Sequence, residues 1–254
     1  MKKILSIGSD RGVFREGSAV QKRILKQAEY VEELHVIVFS HFFKHRGLKA
    51  QKLGSNVWLY PTRSWSKIFY IHNAVKIGKK IVGNFKFINS NSVITSQDPF
   101  EAGWAGMRLK MLFKIPLQIQ VHTDFLSPHF AHILLNRVRV RMAFRTLPYA
   151  DRIRVVSKRI KDSLVESFKI SGDKISVLPV FVDIELLRKE NLQGIDLHKK
   201  YPQFNFIILM ASRLTREKNI DLALQAFGRV KKVFPQVGLV IVGSGGERSG
   251  LEQL

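Results

Sequence analysis

The run Phe206-Ile-Ile-Leu-Met210, the polar loop Ala211-Ser-Arg-Leu-Thr-Arg-Glu-Lys218 and the helical pattern opening at Asn219 constrain the fold more than any other stretch. Five consecutive apolar residues closed by polar ones read as a strand buried on both faces, the mark of a parallel sheet. Ile220, Leu222, Ala223, Leu224, Ala226 and Phe227 then recur at helical spacing and predict a buried stripe. A parallel strand passing through a loop into a helix predicts an α/β fold. Its ligands lie beyond the carboxyl ends of the strands. Arg213 and Lys218 in that loop can act on one anion together with the first amides of the helix, and a diphosphate suits both. Taken alone, the loop is equally consistent with two solvated surface charges.

The same alternation fills the rest of the chain. Lys3-Ile-Leu-Ser-Ile7 predicts a strand, Gly8 to Gly17 a glycine-punctuated loop, and Ser18 onward a helix with Ile24, Leu25 and Ala28 inward. This is a Rossmann-like opening, although Gly8, Gly12 and Gly17 do not spell G-x-G-x-x-G, which disfavours a dinucleotide. Further strands are expected at Leu34–Phe39, Asn56–Tyr60, Ser92–Thr95, Pro116–Asp124, Ala150–Ser157, Lys174–Pro179 and Gly238–Val242. Helices are expected over Ser66–Val82, from Gln97-Asp-Pro-Phe100 with Asp98 as N-cap, over His129–Thr146, and over Lys158–Phe168. In the third of these Ile133, Leu134, Val138 and Met142 fall on one side, while Arg137, Arg141 and Arg145 line a face at four-residue spacing. The last turns Ile160, Leu164, Val165 and Phe168 inward. His122 falls at a strand's carboxyl end, and Asp124 caps or bonds the loop beside it.

Composition narrows the chemistry. No cysteine is present, so disulfides, thiolate nucleophiles and Cys-ligated zinc are excluded. Met1-Lys-Lys precedes only two apolar residues, too few for a signal peptide, and no run spans a bilayer, so a cytoplasmic location is expected. The net charge of +22 points to anionic partners: phosphorylated substrates, anionic lipid or nucleic acid. Arg137, Arg139, Arg141, Arg145, Arg152, Arg154, Lys158, Arg159 and Lys161 fall close together, with Asp151 as their only expected opposing charge. Lys67, Lys76, Lys79, Lys80 and Lys86 interleave with Trp65, Phe69, Tyr70, Phe85 and Phe87. Basic faces beside apolar residues suit an anionic membrane surface, and the inner face of the plasma membrane is the expected one. A solvated charged face is the plain alternative.

Several motifs in order resemble the family 4 (group 1) glycosyltransferases of GT-B fold. Ser212-Arg-Leu-Thr-Arg-Glu-Lys-Asn219 is similar to their G-R-L-x-x-x-K-G donor loop, with Ser and Asn for the two glycines. Val93 to Gly103, Val121-His-Thr-Asp124, Ala150 to Ser157, Phe181-Val-Asp183 and Gly243-Ser-Gly-Gly246 each resemble a family segment. The resemblance implies two Rossmann-like domains: an acceptor-side domain at residues 1–180 and the start of a nucleotide-sugar-binding domain at 181–254. It implies that Arg213, Lys218 and Gly17 hold the donor diphosphate, that His122 lies against the transferred sugar, and that Gly243 and Gly245 belong to a donor loop. Taken alone, Gly17, Gly243 and Gly245 read equally well as turn glycines.

The implied activity is hexose transfer with retention from a nucleotide-diphosphate sugar to a saccharide or lipid-linked acceptor in envelope synthesis, with no cofactor and no metal. The family's two glutamates eight positions apart, which hold the donor's sugar and ribose, do not occur in these residues. The second domain is therefore expected to be incomplete and the chain truncated. A non-catalytic or partner-dependent subunit is the first alternative. A basic nucleic-acid-binding protein, without the motifs of specific recognition, is the second.

Overall fold

A computed structural model of the chain describes residues 1–83, 91–131, 133–180, 184 and 194–254. The chain divides into two compact units, Met1–Val180 and Phe181–Leu254. The Phe181-Val-Asp183 linker and the aromatic and basic residues Phe85, Lys86 and Phe87 lie outside the described residues.

The first unit is built on one sheet ordered β3-β4-β2-β1-β5-β6-β7-β8. Its central strands are β1 (Lys3–Gly8), β2 (Glu33–Val38), β4 (Val57–Pro61), β5 (Ser92–Ser96), β6 (Leu117–Val121) and β7 (Arg152–Val155), with β8 (Ile175–Val177) at one edge. All of these pair in parallel; β3 (Gln51–Leu53) closes the other edge antiparallel to β4, a strand its polar sequence did not announce. Parallel pairing demands crossovers, supplied by α1 (Ala19–Ala28), α2 (Tyr70–Val82), α3 (Glu101–Phe113), α4 (Leu134–Thr146) and α5 (Lys158–Phe168). One cluster packs Leu5, Ile7, Ile37, Ile94 and Ile119 of the sheet with Ala74, Leu109, Ala143 and Leu164 of α2 to α5. On the opposite face, Ile24 and Ala28 of α1 meet Leu34, Val36, Val57 and Leu59. The order reverses between β1 and β5, so the loops that leave these two strands meet at a switch point.

Local chemistry sets the helix ends. Ser18 and Ser157 cap α1 and α5 by accepting from the amides of Gln21 and Ile160. The α4 region departs from expectation. It begins at Leu134 rather than His129, and Leu134 is 75% exposed, with Ile133 and Val138 also outward. The inward stripe is instead Val140, Ala143 and Thr146, with Thr146 against Gly103 of α3. The arginine cluster is likewise opposed by distant acids: Arg139 pairs with Glu101 at 2.9 Å and Arg159 with Asp124 at 3.2 Å, whereas Asp151 pairs with Lys110 at 2.6 Å.

The second unit pairs β9 (Phe206–Ala211) with β10 (Val237–Val242) in parallel, joined by α6 (Ile220–Val233). The prediction of a strand buried on both faces fails here: Phe206 is 62% exposed, and Ile208 and Leu209 are open as well. Of the expected α6 stripe only Ile220 is fully buried, while Leu222 and Ala226 are exposed. Two strands and one crossover helix cannot shield both faces of a parallel pair. Asn219, just before α6, adopts a left-handed φ of 47°. Asn tolerates that region because its short polar side chain bonds locally, which accounts for it standing where a glycine would otherwise be required.

Replacing Asn219 tests this backbone constraint. Asn219→Val is expected to lower the opening free energy of the first turn of α6 by about 1–2 kcal/mol, and Asn219→Gly to leave it near the wild-type value. Amide hydrogen exchange at Ile220 to Ala223 reads both.

Candidate functional site

In the first unit the carboxyl ends of β1, β5 and β6 form the edge where a site is expected. The β1 loop is drawn tight by its own side chains. The Gly12 amide donates to Asp10 Oδ1 at 3.1 Å, the Ser18 hydroxyl to the Gly12 carbonyl at 2.6 Å, and the Gln21 side-chain amide to the Val13 carbonyl at 3.2 Å. Gly17 sits at φ +69°, and its amide donates to Gln21 Oε1 at 3.0 Å, so the position needs glycine for its backbone and already uses its N–H. Directly across the switch point, the Gln97 amide donates to the Ile7 carbonyl, locking the ends of β1 and β5 together.

Asp98 follows. Its Oδ1 accepts from the Phe100 amide at 2.7 Å and the Ala102 amide at 3.2 Å, so Asp98 ties down the first turn of α3 from two residues before the N-cap position, which is Phe100 and not the expected Asp98. Burial, then the nearby Glu101 charge, push its carboxyl up to about 6, against the pull of the two amides and Arg139. Part of the residue's surface stays accessible, which tempers the effect.

His122 stands just past the end of β6, and the alternation of that strand builds its support. Gln118, Gln120 and His122 share one face while Leu117, Ile119 and Val121 enter the core. His122 Nε2 lies 3.1 Å from Gln120 Oε1, which also accepts from Arg154 Nη1 at 3.3 Å. Gln120 donates from its amide nitrogen to Thr95 Oγ1 at 3.0 Å, and that hydroxyl donates to Gln118 Oε1 at 3.1 Å. Because Arg154 only donates, Gln120 must turn its oxygen toward it. The proton of His122 therefore sits on Nε2, and Nδ1 is the acceptor. Burial, then the positive charges of Arg154 and Arg23, hold the ring's pKa below the ordinary histidine value, so the imidazole is neutral near pH 7. A neutral acceptor at a sheet edge suits a hydroxyl-rich ligand. Asp124 is committed to Arg159 rather than to such a ligand.

In the second unit the loop after β9 carries Arg213 and Lys218 as exposed side chains. Arg213 Nη2 meets Glu217 Oε1 at 2.6 Å, one turn along. Buried Leu214 anchors the loop, and the loop after β10 is zipped against it: Leu214 donates its amide to the Ser244 carbonyl at 3.0 Å and accepts from the Glu247 amide at 3.1 Å. A Cβ on Gly243 would overlap the Ser212 carbonyl, and one on Gly245 the Leu214 carbonyl, so both glycines permit this close approach. Thr215 Oγ1 is shielded from solvent and has no hydrogen-bond partner among the described residues. The structure thus brings Arg213, Lys218, Gly243 and Gly245 into one pair of loops, with Gly17 and His122 on the other unit's sheet edge. Arg137, Arg141 and Arg145 lie on the exposed face of α4. Sequence reasoning missed Thr95, Gln120 and Arg154, although the Gln-x-Gln-x-His alternation marks their face.

The profile of Glycosyltransferase Family 4 matches residues 32–186, and that of Glycosyl transferases group 1 matches residues 197–254. A Campylobacter jejuni N-acetylgalactosamine-N,N'-diacetylbacillosaminyl-diphospho-undecaprenol 4-alpha-N-acetylgalactosaminyltransferase is 32% identical over 44% of this chain and 27% of its own length. A Streptococcus pneumoniae alpha-monoglucosyldiacylglycerol synthase is 25% identical over 60% of this chain and 36% of its own. Among solved structures, Anabaena HepE in complex with UDP superposes with a TM-score of 0.62 at 18% identity, covering 99% of this chain and 64% of that one. A UDP-forming alpha,alpha-trehalose-phosphate synthase from Burkholderia xenovorans gives 0.63 at 13% identity, covering 100% and 67%. The chain spans about two thirds of these structures, and the matched stretches about a third or less of the two curated relatives.

The Asp98 carboxyl gives the site a pH signature. With a folded value near 6 against an ordinary 3.8, the folded protein holds the extra proton between those limits, so stability rises as pH falls from 6 toward 4. Asp98→Asn keeps the two amide bonds and carries no charge. It is expected to flatten that rise, by about 1.3 kcal/mol between pH 7 and pH 5, in urea denaturation at the two pH values.

Proposed function

This chain belongs to Glycosyltransferase Family 4, and we propose that it serves transfer of a hexose, with retention, from a nucleotide-diphosphate sugar to a saccharide or lipid-linked acceptor. The observation that carries the reading is the loop Ser212–Asn219, which exposes Arg213 and Lys218 at the carboxyl end of a parallel strand. That it is held rigid against the glycine loop at Gly243–Gly245 adds the preorganisation that charge stabilisation requires. As the sugar leaves, negative charge gathers on the diphosphate oxygen. The reading assigns its neutralisation to these two cations and to the amides opening α6, rather than to a metal.

His122, neutral and with Nδ1 as acceptor, is assigned a hydroxyl of the transferred sugar. Gly17, Gly243 and Gly245 are assigned backbone space beside the donor. Retention follows in this reading if the acceptor hydroxyl attacks from the face the diphosphate leaves, giving its proton to the departing phosphate oxygen. Arg213 and Lys218 are assigned the diphosphate end of the donor, and no pair of glutamates eight positions apart occurs in this sequence to be assigned its sugar and ribose.

The acceptor class rests on two supports. The Campylobacter relative is named for a diphospho-undecaprenol-linked acceptor and the pneumococcal one for a diacylglycerol glycolipid. The outer face of α4 mixes exposed Leu134, Val138 and Phe144 with Arg137, Arg141 and Arg145. Such a face fits attachment to an anionic membrane surface in envelope synthesis, and +22 strengthens it at long range. Among the described residues no helix is long and apolar enough to cross a membrane.

Titration with UDP, GDP and UMP tests the donor assignment. Arg213→Ala with Lys218→Ala is expected to weaken the preferred nucleoside diphosphate by about 30-fold or more, as loss of charge-assisted bonds implies, and to leave UMP nearly unaffected. Unchanged diphosphate affinity in the double variant overturns the assignment.

A further inference from the structure

A groove in the first unit lies away from the edge where the donor and acceptor are placed. Helix α2 follows β4 and leads to β5, so it runs from the carboxyl edge of the sheet to its amino edge; α3 and α4 run the same way. Side chains of these three helices, with Pro148 and Tyr149, line about 740 Å³. That is the size of a small-molecule site. Its floor is apolar: Trp104, Met107, Met111, Leu112 and Phe144. Met111 is 53% exposed, and Leu112, Phe144 and Tyr149 are comparably open. Its rim holds Lys79, Arg108 and Arg145. None of these three has a carboxylate partner among the described residues, and no acid lines the groove. The floor continues along α2 through Val75 and Ile71 to Ile68, 83% exposed, in an adjoining hollow of about 590 Å³ that shares Lys79 and Arg108.

We propose that this groove binds one anionic phospholipid, its acyl chain on the floor and its phosphate on Lys79, Arg108 and Arg145. Three unpaired cations around a wet apolar floor match a ligand that is anionic at one end and apolar along the rest. A free phosphate leaves the floor uncovered, and a nucleic acid backbone has no use for it. The same mixture of apolar and cationic side chains spreads beyond the groove, over Trp65 and Phe69 on one side and Leu134, Val138 and Arg141 on the other. A bilayer interface covers so broad a surface, whereas a single acidic helix covers only the groove. The groove lies on the outward sides of α2, α3 and α4 and is lined by none of the residues of the loops that leave β1, β5 and β6, so its lipid anchors the protein and is not the acceptor. The inference deepens the proposed attachment to an anionic surface by giving it a discrete site.

Monomeric lysophosphatidylglycerol, below its micelle-forming concentration, separates the site from general adsorption. Calorimetric titration of the full chain is expected to show saturable binding to it, at least tenfold weaker binding to lysophosphatidylcholine, and none to inorganic phosphate. Arg108→Glu and Met111→Asp are each expected to weaken it tenfold or more. Lys26→Glu, the same charge change on α1, is expected to leave it unchanged; thermal melting checks folding, and Arg108→Gln replaces the glutamate variant if that unfolds. Equal affinity for the two lysolipids, no saturable binding, or equal behaviour of the Arg108 and Lys26 variants overturns the proposal. So does Arg108-dependent binding of an acidic amphipathic peptide without lysolipid binding, which assigns the groove to a protein partner. Flotation on neutral vesicles and on vesicles with phosphatidylglycerol keeps the two readings apart. Flotation without lysolipid binding defeats the groove and leaves surface attachment standing; lysolipid binding without flotation does the reverse.

Discussion

Parallel pairing is the constraint from which the rest of the first unit follows. Strands that all point one way cannot be joined by hairpins, so each return passes through a helix, and every loop that leaves a strand falls on one edge. That geometry gathers residues far apart in sequence: the Gly8–Ser18 loop, Gln97 and Asp98, and His122 all stand at carboxyl ends of strands in one sheet. The reversal of order between β1 and β5 opens the edge at one place. The core does the holding, with fully buried Leu5, Ile7, Ile94, Leu117 and Ile119 crossing the strands. Each such side chain contributes roughly 1.5–3 kcal/mol on burial.

What the sequence made legible depended on whether the burying residues were also the large ones. α5 follows its expected limits, Lys158–Phe168, because a serine cap, inward Ile160 and Leu164 at four-residue spacing and a left-handed terminus at Lys169 all agree, although Val165, expected inward, is exposed. α4 was misjudged for the opposite reason. Its contact with α3 is made by Ala143 and Thr146, and its leucines face water, so the hydrophobic pattern pointed to the wrong side. β9 was read correctly as a strand and wrongly as buried, since covering depends on neighbours that a local pattern does not encode. His122 could be found from its place after an apolar run. Its partners Thr95 and Arg154 could not, because they lie 25 or more residues from Gln120 and only the pairing register brings them beside it.

The large positive charge reads differently once the fold pairs it. Arg139, Arg159, Lys110 and Lys3 are answered by Glu101, Asp124, Asp151 and Glu33, acids that sequence neighbourhood did not connect with them. These pairs hold α3 to α4, the β6 loop to α5, and α3 to the start of β7, so part of the excess has a structural task. Lys76, Lys79, Lys80, Arg108, Arg137, Arg141 and Arg145 remain on α2, α3 and α4 without a carboxylate partner among the described residues, on helices that also carry, or directly follow, exposed apolar side chains. Charge alone would suit nucleic acid as well as lipid. The company of leucine, methionine and phenylalanine on the same helices is what separates the two.

In the proposed reading Arg213 meets the donor diphosphate, and its contact with Glu217 bears on that role. Its guanidinium rests on Glu217 one helical turn away, and both side chains are largely solvated. An exposed i,i+4 pair of this kind is worth a few tenths of a kcal/mol. A charge-assisted bond from arginine to a phosphate contributes about 1.5–3 kcal/mol. Exchange of Glu217 for a diphosphate oxygen is therefore downhill, and the carboxylate, released to water, costs little. Meanwhile Glu217 keeps the arginine near the start of α6 instead of letting it wander through its rotamers, which lowers the entropy lost when an anion arrives. The backbone beneath it is fixed independently, by Leu214 in the core and by the amide of Glu247 on the Leu214 carbonyl. Under the proposed donor assignment, a hydrogen-bonded main chain with an exchangeable side-chain partner is the combination that would let one loop hold a diphosphate and then give it up.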